Sequence, residues 1–245
     1  MHTEVCTILH KVVFLALKRC FMTTLVLKYS CRNHSFLQNK EVFTLAELLS
    51  SPTSLFAMTG LFALTGSCIY MRKIHFTTRM LVYVALMLSI TIVLHQFGIF
   101  HFPQGGFLTL GGMLPIMLIS YRFGPSVGAM AGFLYGFINL LQDPFILHPI
   151  QVLFDYPLPF MAIGLAGLAK NNFYLGILLG FAGRFLCHFI SGIVFFASYA
   201  PEGMSPIIYS LTVNGSLIGA ECLICLLIAK LLPIRRLLDS MGQQH

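Results

Sequence analysis

Ionisable side chains occur at four positions inside long apolar stretches of this chain, and their chemistry needs an explanation. The stretch GRFLCHFISG, residues 183–192, carries Arg184 and His188 four positions apart. Asp155 and Glu221 lie inside other apolar stretches. Charged groups cost free energy in lipid, so they usually line a polar cavity or pair with one another. Each is therefore a candidate functional group, although an internal ion pair, most simply Asp155 with Arg184, would explain two of them structurally.

The depth of these groups favours a shared site. If the apolar stretches cross the bilayer as helices, polar residues from several helices lie in the half that is predicted to face outward: Asn139, Gln142, Asp155, His188, Tyr209 and Asn214. On one helix Arg184, His188, Gly192 and Phe196 recur every fourth residue and share one face. We expect that face to line a cavity rather than to contact lipid.

Two features of the predicted backbone bear on this cavity. In FDYPLP, residues 154–159, Pro157 and Pro159 follow Asp155 and disturb the helix. Irregular backbone at membrane depth occurs where protein or a water-filled cavity satisfies it, so Asp155 is expected to be a ligand group. Tyr209 and Asn214 are about 140° apart on an ideal helix, so both reach one cavity only around a partly wrapped ligand or on a distorted helix.

The side chains of this site indicate the kind of ligand. A carboxylate and an amide can bind the edge of an aminopyrimidine, and aromatic faces hold a cationic ring by stacking and cation–π attraction. The aromatic residues expected near the site are Phe145, Tyr156, Phe195 and Phe196. The sequence therefore predicts a pocket for a flat heteroaromatic molecule with amino groups and a positive charge.

The composition places this site in a membrane protein. Of 245 residues, 57% are hydrophobic and 9% are charged, against about 25% charged in soluble domains. The formal net charge of +7 is then a matter of membrane topology, and nucleic acid is not an expected partner. Six stretches can cross a lipid bilayer as helices: 80–100, 106–121, 124–142, 150–169, 173–199 and 205–232.

The charges of the connecting segments predict an orientation. The basic residues of these segments lie on one predicted side of the membrane, and Asp143 and Glu202 lie on the other. The basic residues are Arg72, Lys73, Arg79, Arg122, Lys170, Lys230, Arg235 and Arg236. The positive-inside rule then places both ends of the bundle in the cytoplasm. The predicted fold is an all-α, six-helix transmembrane bundle. The first 70 residues fit this pattern less well and form an appendage of unknown role, with room for one additional membrane-associated helix over 54–71.

Other motifs favour packing over chemistry. Glycines recur every fourth residue as small-xxx-small stripes, which bring membrane helices together: Gly124, Gly128, Gly132 and Gly136, then Gly176 and Gly180. GPSVG, residues 124–128, matches a nucleophile elbow formally but lacks the strand, acid and histidine of that motif. Cys222 and Cys225 have CxxC spacing in an apolar setting that does not favour redox activity. We therefore expect no enzyme activity, no metal and no cofactor.

Five segments carry a resemblance to a known family: LGGMLPIMLISYRFGPSVG, GFLYGFINLL, QVLFDYPLP, RFLCHFISGIVFF and IYSLTVNG. From about Met71 to Arg236 the chain resembles the thiamine-specific substrate-binding (S) subunit of the energy-coupling factor (ECF) vitamin transporters, also described as the proton-coupled thiamine transporter family. The resemblance implies a six-helix domain over 71–236 and a cytoplasmic tail over 237–245, in a bacterial plasma membrane. It also implies thiamine capture from the outer side.

The resemblance assigns a substrate-binding role to residues at matching positions: Asp155, Tyr156, Arg184, His188, Gly192, Phe196, Tyr209 and Asn214. Three of them depart from the family pattern. Asp155 replaces a glutamate, Phe196 replaces a tryptophan that stacks on thiamine, and Arg184 replaces a lysine. The shorter acid leaves open a related aminopyrimidine, or another vitamin, as the ligand.

The resemblance also implies partners. Ala85 and Ser89 match a small-residue motif that docks the transmembrane coupling subunit, which works with two ATPase subunits; packing within the bundle is the alternative for this pair. The loop HQFGIFHFPQGG, 95–106, matches a loop that closes over the ligand. The chain has no Walker A motif, so ATP hydrolysis belongs to a partner. A stand-alone proton-coupled transporter is the alternative, with Glu221 as the titratable carboxylate.

Overall fold

The computed structural model describes residues 76–101 and 106–240, together with Gly60, Thr65, Gly66 and Ile69. All of these belong to one compact unit, Ser50–His245. Apart from those four positions, the predicted appendage over 1–70 lies outside the described residues, as does the predicted tail beyond Ser240. The proposed domain boundary at residue 70 therefore stays a prediction.

The described part is mainly α-helical. The helices are α1 Thr78–Gln96, α2 Leu114–Phe123, α3 Pro125–Gln142, α4 Pro149–Asp155, α5 Pro157–Ala162, α6 Phe173–Phe195, α7 Pro206–Leu231 and α8 Ile234–Ser240. A 3-10 helix, Ile163–Leu168, continues α5, and a short 3-10 turn, Ala197–Tyr199, follows α6. Strands β1 Gly98–His101 and β2 Phe107–Thr109 pair in an antiparallel hairpin between α1 and α2.

Four stretches of the described chain are long and apolar enough to cross a membrane: Thr78–Gln96, Pro149–Leu168, Phe173–Phe195 and Pro206–Leu231. Leu114–Phe123 is a shorter apolar helix. α3, with 18 residues, has about 27 Å of helical rise, enough to cover most of a hydrocarbon core. The described chain is therefore a multi-pass membrane protein with the helical architecture that the composition predicts.

The second predicted span, 106–121, is wrong as a continuous helix. Its first part is β2 and a turn, and helix begins only with α2. A Cβ on Gly106 would lie 3.3 Å from Leu217, and one on Gly111 would lie 2.8 Å from Ile228. Those two α7 residues are separated by about 16 Å of helical rise, and the extended chain from Gly106 to Gly111 covers about the same distance. An extended segment and a short helix thus cross together where one helix was expected.

Glycines allow α3 to lie against the segment that follows Asp155. A Cβ on Gly136 would lie 2.7 Å from the carbonyl oxygen of Tyr156, and one on Gly132 would overlap the carbonyl of Phe160. Gly124, by contrast, has open space around it and a φ of 95°, which suits the turn between α2 and α3. The predicted packing role is confirmed for Gly132 and Gly136, whereas Gly124 is a turn residue.

The ends of the bundle can be named by their residues. At one, Tyr121 donates to the carbonyl oxygen of Lys170 (2.7 Å), beside the end of α7; we call this the Arg122 end. At the other, the rings of Phe145 and Phe196 stack with centroids 5.8 Å apart; we call this the Asp143 end. The sequence predicts that the Asp143 end faces outward.

Candidate functional site

A cavity of about 110 Å³ lies toward the Asp143 end, among α3, α4, α5, α6 and α7. Every residue predicted to bind substrate lines it: Asp155, Tyr156, Arg184, His188, Gly192, Phe196, Tyr209 and Asn214. The remaining lining residues are His95, Gly106, Asn139, Asp143, Phe145, Gln151, Phe160, Val213 and Leu217. The structure therefore brings the predicted site residues together in one chamber.

The break between α4 and α5 presents Asp155 to this chamber. α4 ends at Asp155 and α5 starts at Pro157, as the proline spacing predicts. The Nε2 of Gln151, one turn earlier on α4, donates to one carboxylate oxygen of Asp155. The Nδ1 of His188 lies 3.4 Å from the other oxygen. The carboxylate is thus held from two helices, and its side chain stays 15% exposed.

Tyr156 fixes the loop that precedes α4. Its hydroxyl donates to the carbonyl oxygen of Asp143 (2.8 Å) and accepts from the backbone N–H of Phe145 (2.7 Å). Gln151 closes the same loop, because its amide donates to the carbonyl oxygen of Phe145 (3.1 Å). The phenol hydroxyl therefore anchors this loop, and the Tyr156 ring forms part of the chamber wall.

The predicted shared face is confirmed: Arg184, His188 and Gly192 of α6, and Phe196 directly after it, all line the chamber. Gly192 permits close contact with α7. A Cβ there would overlap Ser210 Oγ and lie 2.8 Å from Nδ2 of Asn214. Because no side chain intervenes, α6 and α7 can approach within hydrogen-bond distance at this level.

Asn214 joins the two helices. Its Nδ2 donates to the carbonyl oxygen of His188 (3.2 Å) and to Ser210 Oγ (3.1 Å). Ser210 in turn donates to the carbonyl oxygen of Phe189 (2.8 Å). Tyr209 also lines the chamber although α7 is an unbroken helix, so the expected alternative of a distorted helix is not needed.

The alternative of an ion pair between Asp155 and Arg184 is not observed. Arg184 Nη1 instead lies 2.6 Å from Oε2 of Glu221, and both side chains are buried. The other carboxylate oxygen of Glu221 accepts from Thr109 Oγ1 (2.5 Å). The physical reason is depth: Asp155 lies level with His188, whereas Glu221 on α7 lies level with Arg184, one turn deeper.

Glu221 does not line the chamber. In the alternative of a stand-alone proton-coupled transporter, Glu221 is the candidate titratable carboxylate. The structure places it behind Arg184, fully buried, with both oxygens occupied by Arg184 and Thr109. Its position is that of a partner to the cavity arginine, not of a group on the ligand surface.

The aromatic predictions are partly right. Phe145 and Phe196 line the chamber and stack with an interplanar angle of 18°. Phe195 does not line the chamber; its ring stacks on His148, with centroids 5.5 Å apart, at the start of α4. One residue along a helix turns the side chain by about 100°, which is enough to move Phe195 out of the wall.

Sequence reasoning missed three polar lining residues: His95, Gln151 and Asp143, the last of which was used only to predict the orientation. Gln151 precedes Asp155 by four positions and so shares its face of α4, a signal that could have identified it. His95 was placed where the first predicted span overlaps the following loop; it lies in the last turn of α1, and its Nε2 lies 2.5 Å from Nδ2 of Asn139. A buried histidine at the end of an apolar helix was the available signal.

Ala85 and Ser89 lie away from the chamber on the exposed side of α1. The Ser89 hydroxyl donates to the carbonyl oxygen of Ala85 (2.9 Å), so it needs no partner from the bundle. Leu81, Leu86 and Val93 are exposed on the same helix. Packing of this pair within the described bundle is therefore not observed, and the helix offers an apolar outer surface.

The chamber has more acidic than basic character. Asp143 and Asp155 contribute carboxylates, and the charge of Arg184 is matched by that of Glu221. Within residues 76–101 and 106–240, no group of three or more His, Cys, Asp or Glu side chains could hold a metal ion. The cavity chemistry suits a cation with hydrogen-bonding edges.

Comparison with known proteins gives consistent results. The sequence profile described as thiamine transporter protein (Thia_YuaJ) matches residues 81–238. The thiamine transporter ThiT of Bacillus subtilis is 36% identical over 147 residues, which are 53% of this chain and 76% of that protein. The thiamine transporter ThiT of Lacticaseibacillus paracasei is 33% identical over 124 residues, 42% of this chain and 62% of that protein.

A solved structure of ThiT from Listeria monocytogenes shares the fold. The TM-score is 0.55 at 24% sequence identity, and the match covers 66% of this chain and 93% of that one. At this identity the likeness concerns the fold alone. It confirms the predicted helical membrane architecture.

Proposed function

The chain belongs to the thiamine transporter protein family, whose profile covers residues 81–238, and we propose that it binds thiamine in the chamber between α4, α6 and α7. It is a membrane component of thiamine uptake and not an enzyme. The proposal rests on the family membership together with the chemistry of the chamber.

One observation carries the proposal for the site. Asp155, His188, Tyr209 and Asn214 come from three helices and line one chamber. Thiamine joins an aminopyrimidine to a thiazolium cation. The carboxylate of Asp155 and the amide of Asn214 provide hydrogen-bonding groups for the aminopyrimidine, and the stacked rings of Phe145 and Phe196 provide aromatic faces for the cation.

The departures from the family pattern fit this role in different ways. Asp155 is one methylene shorter than the glutamate that the resemblance places there, and Gln151 extends the hydrogen-bonding surface beside it. Phe196 keeps an aromatic face where the family has a tryptophan. The volume of about 110 Å³ is below the roughly 300 Å³ at which ligand pockets usually begin, so the chamber must widen when the vitamin enters.

The energy for uptake is proposed to come from partners. The resemblance implies an ECF transmembrane coupling subunit and two ATPase subunits, and the exposed face of α1 around Ala85 and Ser89 is the proposed contact. The pairing of Glu221 with Arg184 supports this choice over a proton-coupled carrier built on Glu221. The proposed location is a bacterial plasma membrane, with the Arg122 end of the bundle, and the first and last residues of the six-helix domain, on the cytoplasmic side.

Equilibrium binding to the purified chain tests the proposal. Labelled thiamine should bind saturably, and unlabelled thiamine should compete better than the free aminopyrimidine, which lacks the cation. Asp155→Asn and His188→Ala should each weaken binding. Absence of saturable binding by the folded wild-type chain would contradict the proposed function.

A further inference from the structure

A buried charged cluster closes the chamber on the side away from the Asp143 end. Arg184 is 6% exposed and lines the chamber, with its guanidinium 5.0 Å above the ring of Phe160. Glu221 stands behind it, 2.6 Å away and fully buried. Thr109 of β2 occupies the second carboxylate oxygen of Glu221 and accepts from the N–H of Gly112 (3.1 Å). Three elements thus meet beneath the ligand chamber.

One N–H group of the Arg184 guanidinium is free to donate a hydrogen bond. Among the described residues, Nε of Arg184 has no hydrogen-bond partner, although its surroundings exclude water almost completely. A buried donor of this kind attracts an acceptor, and a full positive charge would attract an anion strongly. The charge that a ligand experiences here therefore depends on how completely Glu221 neutralises Arg184.

We infer that Glu221 is a positioning residue that sets ligand specificity, by holding and neutralising Arg184 so that the chamber selects cationic thiamine over its anionic phosphate esters. This inference rests on the proposed function. With the pair neutral, the carboxylates of Asp143 and Asp155 dominate the chamber and attract the thiazolium. Without Glu221, Arg184 becomes a buried cation that repels thiazolium and attracts phosphate.

The two members of the pair differ in their position relative to the chamber. Arg184 lines the chamber and Glu221 does not, although Leu217, one turn earlier on α7, does. Glu221 therefore acts on ligand choice through the net charge of the pair and not through contact with the ligand. A double-mutant cycle can test this, because it changes the net charge of the pair. The pair carries no net charge in the wild type, a positive charge in Glu221→Gln, a negative charge in Arg184→Gln, and none in the double variant.

The test measures dissociation constants for thiamine and thiamine monophosphate in all four proteins, reconstituted as full-length chains in lipid nanodiscs. The deciding quantity is the dissociation constant of thiamine monophosphate divided by that of thiamine. A unit charge that acts across the chamber in a poorly screened site should change this ratio by about tenfold. We expect it to fall in Glu221→Gln, to rise in Arg184→Gln, and to return toward the wild-type ratio in the double variant. Glu221→Asp should also stay near the wild-type ratio.

Loss of a single partner can destabilise a buried ion pair. If Glu221→Gln does not fold, the rise in Arg184→Gln and its reversal in the double variant carry the same information. Equal weakening of both ligands, with the ratio constant across the folded variants, would overturn the inference and leave Glu221 as a purely structural residue. A folded wild-type chain that binds neither ligand would instead overturn the proposed function itself.

Discussion

Asp155 is the carboxylate on which we expect ligand binding to depend most directly. Gln151 and His188 hold it from α4 and α6, yet its side chain remains partly accessible at the chamber wall. A carboxylate held in this way is prepared to accept hydrogen bonds from an aminopyrimidine at little cost in ordering. We expect the same arrangement to let an aspartate act where the resemblance implies a longer acid.

Asp155→Asn should weaken thiamine binding by about tenfold to a hundredfold, because it removes a charge-assisted hydrogen bond. Isothermal titration of the purified variant measures the change. Glu202→Gln is the matched control, since Glu202 is an exposed carboxylate in the loop before α7 and does not line the chamber. Equal losses in both variants would point to a general charge effect and count against a specific role for Asp155.

Several site residues were predictable because their signal is local. The four-residue spacing on α6 defines a face, and the prolines after Asp155 mark the break in the helix. The partner of Arg184 was not predictable in the same way, since it depends on the depth and rotation of α7 relative to α6. His95 was missed for a related reason, because the end of α1 could not be located to within one turn.

Close contact between α6 and α7 is the feature of the helices that positions the site. Gly192 allows Asn214 to reach the backbone of His188, and the chamber wall is built from the residues around that contact. A side chain at this position would separate the helices and displace Asn214. Stability and binding should therefore respond together to changes here.

Gly192→Ala should lower the free energy of unfolding by about 1–3 kcal/mol and reduce thiamine affinity. A thermal unfolding scan and a binding titration of the same preparation measure both effects. Gly219→Ala on α7 is the matched control, because a Cβ there meets nothing within 4 Å. A variant at Gly192 that melts and binds like the control would contradict the close-contact account.

The outer face of α1 is proposed to contact the coupling subunit. Ala85→Leu adds bulk to an exposed position, so it should block uptake by cells that contain the partner subunits while leaving thiamine binding by the purified chain unchanged. Gly219→Leu adds the same side chain at an open position of α7 and should preserve uptake. Full uptake with Ala85→Leu would exclude this face as the contact.

The hairpin between α1 and α2 could not be predicted from the sequence pattern. An apolar segment that crosses part of a membrane in extended form has the same composition as a helix, so the sequence predicted a single span over 106–121. The extended segment is tolerated because β1 pairs with β2 and because Thr109 bonds to Glu221. β1 is close to β2 in sequence, but Glu221 lies 112 positions from Thr109, and no local signal identifies that partner.

For the chain as a whole, the bundle is expected to bind its ligand without the N-terminal appendage. The family profile begins at residue 81, and the chamber is lined by residues from His95 onward. A chain that starts at Met71 should therefore bind thiamine with the affinity of the full-length protein, as measured by titration of both in the same detergent. A large loss of affinity in the folded truncated chain would assign the appendage a role in the site.

An experimental structure of the chain with thiamine bound would test the proposed site most directly. We expect the vitamin within the chamber, its aminopyrimidine within hydrogen-bond distance of Asp155 and its thiazolium against the Phe145 and Phe196 rings. Thiamine bound elsewhere, or Asp155, His188, Tyr209 and Asn214 directed toward different surfaces of the membrane, would contradict it.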